Sequence, residues 1–253
     1  MLLQDGYLVR SELFSIHQVI GHPLHEVKRF NQWNVDELIY LNISTDDRPY
    51  ERRADHGTKG LIDAMGTLDA VSKTCFMPLT WGGRLRTVEN MRECFSKGAD
   101  KITINSQAFR TPELISEGSK KFGSQAIVVS IDTILHEDGS REVMIDGGQT
   151  PTGRSPQDWA REAEDRGCGE ILLQSVDRDG TAKGYDIDVI SMVAEAVTIP
   201  VIACSGVGVF EHYPAGIRAG ASAVSAANLW HFKEMADRQG KRALKRAGIE
   251  VRF

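Results

Sequence analysis

The 253-residue sequence has only four cysteines, which are scattered, and it has no apolar run long enough to span a membrane. No C-x-x-C pair occurs, so we expect reduced, buried thiols rather than disulfides or metal ligands. None of the seven histidines falls at a metal-ligand spacing such as H-E-x-x-H. The beginning, MLLQDG, is too short and too polar for a signal peptide. These absences predict a soluble, cytoplasmic protein with no membrane segment, no structural metal and no cofactor.

An excess of positive charge is also lacking, because 30 Lys and Arg stand against 35 Asp and Glu, for a net charge of −5. Nucleic-acid-binding proteins usually carry a basic excess or stripe, so we expect no nucleic-acid partner. The hydrophobic content of 41% and the charged content of 26% are ordinary for a soluble globular protein. The length suits one α/β barrel, and we predict a single domain over residues 1–253.

Short apolar segments alternate with amphipathic segments along the chain. Strands are predicted at Glu37–Ile43, Phe76–Trp81, Lys101–Asn105, Ala126–Asp132, Glu170–Gln174, Pro200–Cys204 and Ala223–Ala227. Helices are predicted at His22–Asn34, Gly60–Lys73, Thr87–Lys97, Pro112–Phe122, Pro156–Arg166, Asp186–Ala196, Phe210–Ala219 and Lys233–Ala247. Nearly continuous apolar strands between helices are typical of a parallel sheet that is buried on both faces.

A weak internal repeat favours a (β/α)₈ TIM barrel. The segments Pro78–Asn105 and Pro200–Ala227 both read as an apolar strand, a Gly-containing loop, a helix, Gly-Ala and a further strand. A doubly wound fold is the alternative, but it rarely repeats at half its length. Only Met1–Gln4 precede the turn at Asp5-Gly6, whereas a strand typically has about 5–6 residues. We therefore expect a first strand that is truncated or incomplete.

Two groups of polar loops follow predicted strands, at the end of a barrel where active sites lie. Asp179-Gly180, Gly206 and Ala227-Asn228 make up the first group, and a helix beginning at Asn228 would point its amides at an anion. Gly83 and Ser106 belong to the second group. A dinucleotide fingerprint is excluded after the seventh strand because Glu211 stands where its third glycine is required. Two phosphate-like sites on opposite sides of one mouth suggest a bisphosphate ligand.

Asp132 ends the predicted strand Ala126–Asp132. A partly desolvated carboxylate at the mouth could act as a general acid or base. The alternative is an aspartate that caps the following loop.

The stretches DELIYLNIS, GADKITINSQA, FGSQAIVVSID, GEILLQSVDRDGTAKGYD and WHFKE resemble the cyclase subunit of imidazole glycerol phosphate synthase, in register from Gln4 to Phe253. That family is a lyase of histidine biosynthesis with a (β/α)₈ fold, which uses ammonia from a glutaminase to cyclise a bisphosphate ribulosyl intermediate. The resemblance implies catalytic roles for Asp132 and Asn105. The phosphate-site residues that it implies are Gly83, Arg84, Ser106, Asp179, Gly180, Gly206, Ala227 and Asn228.

Several residues depart from the family pattern at the mouth. Leu2 stands where the family has its other catalytic aspartate, and leucine cannot transfer a proton. Arg84 replaces the third glycine of a phosphate loop. Asn42 replaces an aspartate, and Cys204-Ser205 replaces a serine–glycine pair. Together these departures predict weakened or lost cyclase chemistry.

Three charged residues, Glu37, Lys101 and Glu170, each begin an apolar strand. Residues at equal depth on alternate barrel strands form one layer. We therefore expect these three to meet at the floor of the barrel, which is the end where the strands begin, opposite the mouth. Surface charges at strand starts are the alternative reading. The resemblance implies that this layer is an ammonia gate facing a docked class I glutaminase subunit.

The preferred hypothesis is therefore a paralogue that docks a glutaminase and uses or conducts its ammonia. The resemblance offers a precedent in which the ammonia serves a sugar amidotransferase of bacterial surface-polysaccharide (lipopolysaccharide) biosynthesis. One alternative is an active cyclase of histidine biosynthesis that binds a phosphorylated small molecule. The other is a non-catalytic scaffold that only activates the glutaminase.

Overall fold

The computed structural model describes residues 1–45 and 63–252. Eight parallel strands in these ranges form the wall of a (β/α)₈ barrel. They are β1 (Leu2–Gln4), β4 (Leu38–Asn42), β5 (Leu79–Gly82), β6 (Lys101–Ile104), β7 (Ile127–Leu135), β10 (Glu170–Ser175), β11 (Val201–Ala203) and β12 (Ala223–Val224). The hydrogen-bonded order runs from β12 through β11, β10, β7, β6, β5 and β4 to β1. The predicted fold class is confirmed.

Helices follow the strands and cover the outside of the barrel. They are α1 (Pro23–Trp33), α2 (Ala64–Ser72), α3 (Val88–Ser96), α4 (Ser106–Arg110), α5 (Glu113–Phe122), α6 (Pro156–Asp165), α7 (Ile187–Ala194), α8 (Tyr213–Arg218), α9 (Asn228–Phe232) and α10 (Ala236–Arg246). Side chains cap several of them; the hydroxyl of Thr87, for example, accepts a hydrogen bond from the backbone N–H of Asn90. No helix in the described ranges is long and apolar enough to cross a membrane.

Two antiparallel hairpins are added at the mouth. Strands β2 (Tyr7–Glu12) and β3 (Ile16–Gly21) extend the sheet beyond β1. Strands β8 (Arg141–Ile145) and β9 (Thr150–Pro151) pair with the end of β7. Neither hairpin was expected, because the apolar pattern of the sequence predicts strands that alternate with helices.

Most predicted boundaries agree to within a few residues. The strand predicted from Phe76 begins at Leu79, and Phe76 is 88% exposed. The last strand ends at Val224 rather than Ala227, and the last helix begins at Ala236 rather than Lys233. The helix predicted at Gly60–Lys73 begins outside the described residues; its described part is α2.

The core lies between the strands and the helices. Trp81 and Trp159 are among its largest fully buried side chains, and Tyr40 stacks on Trp81 with ring centroids 5.8 Å apart. Leu3, on β1, and Ile131, on β7, both belong to this outer core. Because side chains alternate along a strand, their neighbours Leu2 and Asp132 face the interior of the barrel.

Candidate active site

Asp132 is a buried carboxylate inside the mouth, with only 3% of its surface exposed. Its Oδ1 accepts a hydrogen bond of 3.0 Å from Nε2 of Gln174 on β10 and a longer one of 3.5 Å from the hydroxyl of Ser130. One expectation about Asp132 is wrong: the strand does not end there but continues to Leu135, because β8 supplies hydrogen bonds to this extension. The side chain nevertheless faces inward.

Burial raises the pKa of the Asp132 carboxyl group to about 6, and the negative charge of Asp179 adds to this rise. Hydrogen bonds from Asn105, Gln174 and Ser130 act in the opposite direction, because they stabilise the ionised form. A carboxyl group with a pKa of about 6 can accept or donate a proton near neutral pH. Asp132 and Asn105 thus lie within hydrogen-bonding distance of each other.

Leu2 also faces the interior, where it pairs in register with Leu41 of β4 and with Val9 of β2. A leucine in this position contributes no proton-transfer group to the mouth. Asn42, another departure from the family pattern, uses its Oδ1 to accept hydrogen bonds from the backbone N–H and the hydroxyl of Ser44. Its side chain therefore stabilises the turn that follows β4.

In the loop after β10, the polar groups of Asp179 are held by the β2–β3 hairpin. Its Oδ2 accepts hydrogen bonds from the hydroxyl of Ser11 at 2.6 Å and from the backbone N–H of Phe14 at 3.3 Å. Its carbonyl oxygen accepts a third from the backbone N–H of Leu13. Gly180 lies so close to the hairpin that a Cβ at this position would be 2.6 Å from the carbonyl oxygen of Ser11. Burial raises the pKa of Asp179, while its hydrogen bonds to the hairpin lower it.

Gly206, Ala227 and Asn228 lie on the same side of the barrel. The carbonyl oxygen of Gly206 accepts a hydrogen bond from Gly184, and a Cβ at Gly206 would lie 2.2 Å from the Gly184 oxygen. Ala227 directly precedes α9. Asn228 donates from Nδ2 to the carbonyl oxygen of Ser11 at 2.8 Å, while its Oδ1 is buried without a hydrogen-bond partner in the described chain. The hairpin thus contacts two of the three loops of the first predicted phosphate group, those of Asp179 and Asn228.

The second predicted group contains Gly83, Arg84 and Ser106. Only glycine fits at position 83, because its φ is +98° and a Cβ would lie 2.0 Å from the carbonyl oxygen of Asn42. Arg84 also has a positive φ, of 60°, and its guanidinium donates to the carbonyl oxygens of Ser44 and Thr45. A left-handed backbone at an arginine is unusual and fits a position where the resemblance implies glycine. The hydroxyl of Ser106 accepts from the backbone N–H of Asp146.

At the opposite end of the barrel, Glu37, Lys101 and Glu170 meet. Nζ of Lys101 lies 3.1 Å from Oε2 of Glu37 and 2.6 Å from Oε1 of Glu170. The Lys101 and Glu170 side chains are about four-fifths buried, whereas that of Glu37 is about half exposed. Burial lowers the pKa of Lys101, but hydrogen bonds to the two carboxylates outweigh it and raise that pKa. One ammonium group therefore holds two carboxylates at the floor.

Sequence reasoning gave no role to Gln174 or to Ser11. Gln174 lies two residues after Leu172 and four after Glu170 on β10. Because side chains alternate along a strand, all three face the inside of the barrel. That spacing could have indicated a polar contact to Asp132. No pattern in the sequence pointed to Ser11, because its contact with Asp179 spans 168 positions.

The hairpin contacts lead to a prediction about Asp179. We expect Asp179→Ala to loosen the hairpin tip, because the buried Ser11 hydroxyl and the Phe14 N–H lose their acceptor at a cost of about 1–3 kcal/mol. Limited chymotrypsin digestion should then cleave at Leu13 or Phe14 several-fold faster. Asp177→Ala is the matched control, since Asp177 lies in the same turn and its Oδ1 accepts from Ser175 instead. Equal cleavage rates for the two variants would show that Asp179 does not hold the hairpin.

The buried carboxylate and amides lie at the end of the (β/α)₈ barrel where active sites are built, and the charged layer lies at the opposite end. The chain belongs to the histidine biosynthesis protein family, whose model matches residues 1–236. It is 41% identical to the imidazole glycerol phosphate synthase subunit HisF of Gluconacetobacter diazotrophicus, over 99% of this chain and 93% of that protein. It is 40% identical to the HisF subunit of Natranaerobius thermophilus, over 99% of this chain and 96% of that protein.

Proposed function

We propose that this barrel docks a class I glutaminase at its floor and conducts the resulting ammonia, with cyclase chemistry that is weakened or lost. The charged layer of Glu37, Lys101 and Glu170 carries the proposal. Ionised groups are costly to bury, and a purely structural floor would be simpler with apolar residues. A layer that pairs all three charges fits an opening that small polar molecules cross and that a partner covers. Lys101, the central cation, would serve as the gate.

The mouth supports the second half of the proposal. Asp132 and Asn105 are retained and lie together, but Leu2 supplies no second carboxylate. Arg84, which stands where the resemblance implies the third glycine of the loop after β5, places its guanidinium on the loop after β4. Such a mouth can still receive ammonia from the barrel, but it lacks one of the two proton-transfer groups that cyclisation requires.

The ammonia then needs another acceptor. We propose a sugar amidotransferase of surface-polysaccharide biosynthesis, by analogy with divergent members of this family. A phosphorylated small molecule is the proposed ligand of the mouth, held by Gly206, Ala227 and Asn228 on one side and by Gly83 and Ser106 on the other. Asp179 and Gly180 are available to that ligand only if the hairpin around Ser11 moves, because the hairpin covers them here.

An active cyclase of histidine biosynthesis is the second candidate. Retention of Asp132 and Asn105 favours it, as does identity of about 40% to two HisF subunits along almost the whole chain. The two candidates share glutaminase docking and differ in the fate of the ammonia. Leu2 is the residue that separates them.

Docking at the floor makes Phe76 a predicted anchor. Phe76 lies three residues before β5, at the same end of the barrel as Lys101, and its backbone N–H donates to Oδ1 of Asn31. An aromatic side chain that is 88% exposed at the same end of the barrel as the charged layer is the type of residue that fills a pocket on a partner. We expect Phe76→Ala to weaken glutaminase binding about 10- to 30-fold, corresponding to roughly 1.4–2 kcal/mol.

Calorimetric titration with the glutaminase measures this effect. Phe232→Ala is the control, because Phe232 is 65% exposed but follows the C-terminal end of β12, at the mouth. If both variants bind the glutaminase with the affinity of the wild type, Phe76 does not contribute to the interface. If Phe232→Ala alone weakened binding, the glutaminase would dock at the mouth and the proposed orientation would be wrong.

A further inference from the structure

The inner face of β10 carries a glutamine whose side chain lies entirely within the mouth. Gln174 is 8% exposed, and its Nε2 donates both to Oδ1 of Asp132 at 3.0 Å and to the hydroxyl of Ser130 at 3.1 Å. Ser130 in turn donates to the same Asp132 oxygen over 3.5 Å. One amide group therefore contacts the carboxylate directly and also orients the second donor to it.

We propose that Gln174 is a positioning residue. It keeps Asp132 in the ionised form, which can accept a proton, and fixes its Oδ1 toward β10. A glutamine amide nitrogen can only donate, so it favours the ionised carboxylate over the protonated acid. Register supports the assignment, because Gln174 and Asp132 are directly paired across the β7–β10 ladder. Gln174 contacts no reacting atom in this arrangement and acts through Asp132.

Among the remaining surroundings of Asp132, only the neutral donors Asn105 and Ser130 act in the same direction as Gln174. On β8, the residue paired with Asp132 is the apolar Met144. The charged group that acts on Asp132 from the loop after β10 is Asp179, which disfavours ionisation. On the β6 side, Asn105 donates to the carboxyl group, and Ser130 lies two residues before Asp132 on its own strand. Ionisation of the buried carboxyl group thus depends on three neutral donors, Asn105, Gln174 and Ser130, and the contact from Gln174 is shorter than the one from Ser130.

The test is a pH titration of the Asp132 carboxyl carbon by NMR, with aspartate labelled in the full chain and the signal assigned from Asp132→Asn. Gln174→Met removes the donor at similar volume, and we expect the titration midpoint to rise by about one pH unit or more. Ser130→Ala should raise it less, because its contact is longer. Ser175→Ala is the control; it lies next on the strand and its hydroxyl contacts Asp177, so the midpoint should not move.

An unchanged midpoint in folded Gln174→Met would overturn the proposal, as would a larger shift in Ser130→Ala. If Gln174→Met does not fold, Gln174→Glu keeps the shape of the side chain. Two carboxyl groups that share the site resist ionising together, so the last proton should leave the pair at a midpoint above that of wild-type Asp132. No such rise in that variant would equally overturn the proposal. The titration needs no glutaminase, so its outcome is independent of whether the proposed docking is correct.

Discussion

Ammonia-dependent turnover of the bisphosphate cyclase substrate by this chain should be about 10²–10⁴-fold below that of a relative that has both catalytic aspartates. The reason is Leu2, which faces the barrel interior from β1 and cannot exchange a proton. Asp132 remains, with a pKa of about 6, but it must then do alone the proton transfers that two carboxylates share in the relative. The measurement is formation of the imidazole product with saturating ammonium salt, which removes any dependence on a glutaminase.

Leu2→Asp tests the cause of the loss, and Leu2→Asn is its matched control. Both replace an apolar side chain by polar ones of nearly equal size, but only aspartate can transfer a proton. We expect Leu2→Asp to recover part of the activity and Leu2→Asn to recover none. If neither variant recovers activity, Arg84→Gly added to Leu2→Asp tests the phosphate loop next. Turnover by the unchanged chain at the rate of its relatives would refute the loss of chemistry.

Lys101→Met should reduce stimulation of the glutaminase by about tenfold or more. The substitution keeps a long side chain but leaves Glu37 and Glu170 facing each other without the ammonium group between them. Uncompensated charges of this kind cost more than the roughly 1.4 kcal/mol that corresponds to a tenfold change. We expect the two carboxylates to separate or to take up a proton, so the floor loses the shape that the partner meets.

Glutamate formation by the glutaminase, with and without this chain, measures the stimulation. Lys73→Met is the control, because Lys73 pairs with Asp69 in an exposed contact within one helical turn, which contributes little. Thermal unfolding of both variants separates a local change at the floor from a loss of folding. If Lys101→Met stimulates the glutaminase as well as the wild type does, the charged layer is only a set of paired strand ends.

The barrel itself could be predicted because its strands and helices are marked locally. Buried strands such as Lys101–Ile104 and Ile127–Leu135 are short apolar runs, and helix starts such as Thr87 carry their own caps. The charged layer could be predicted from the same regularity, because its three residues stand at the starts of the second, fourth and sixth strands of the barrel and therefore lie at equal depth. Both inferences need only the alternation of side chains along a strand.

The hairpins and the contacts at the mouth could not be predicted in this way. Ser11 meets Asp179, and Asn228 meets Ser11, through contacts between residues more than 160 positions apart. The turn at Leu13 and Phe14 has two consecutive positive φ angles without glycine or asparagine, so it lacks the usual signature of a tight hairpin. The extension of β7 beyond Asp132 likewise depends on its pairing with β8. An alternation of strands and helices does not predict a strand at that position.

A single reaction that contains this chain, its glutaminase, glutamine and the bisphosphate substrate tests the central claim most directly, because glutamate and imidazole product are counted together. We predict that the chain stimulates glutamate formation while fewer than about one imidazole product appears per hundred glutamates, as expected from the loss of one proton-transfer group. Equal amounts of the two products would contradict the account, and so would glutamate formation that is unaffected by the chain.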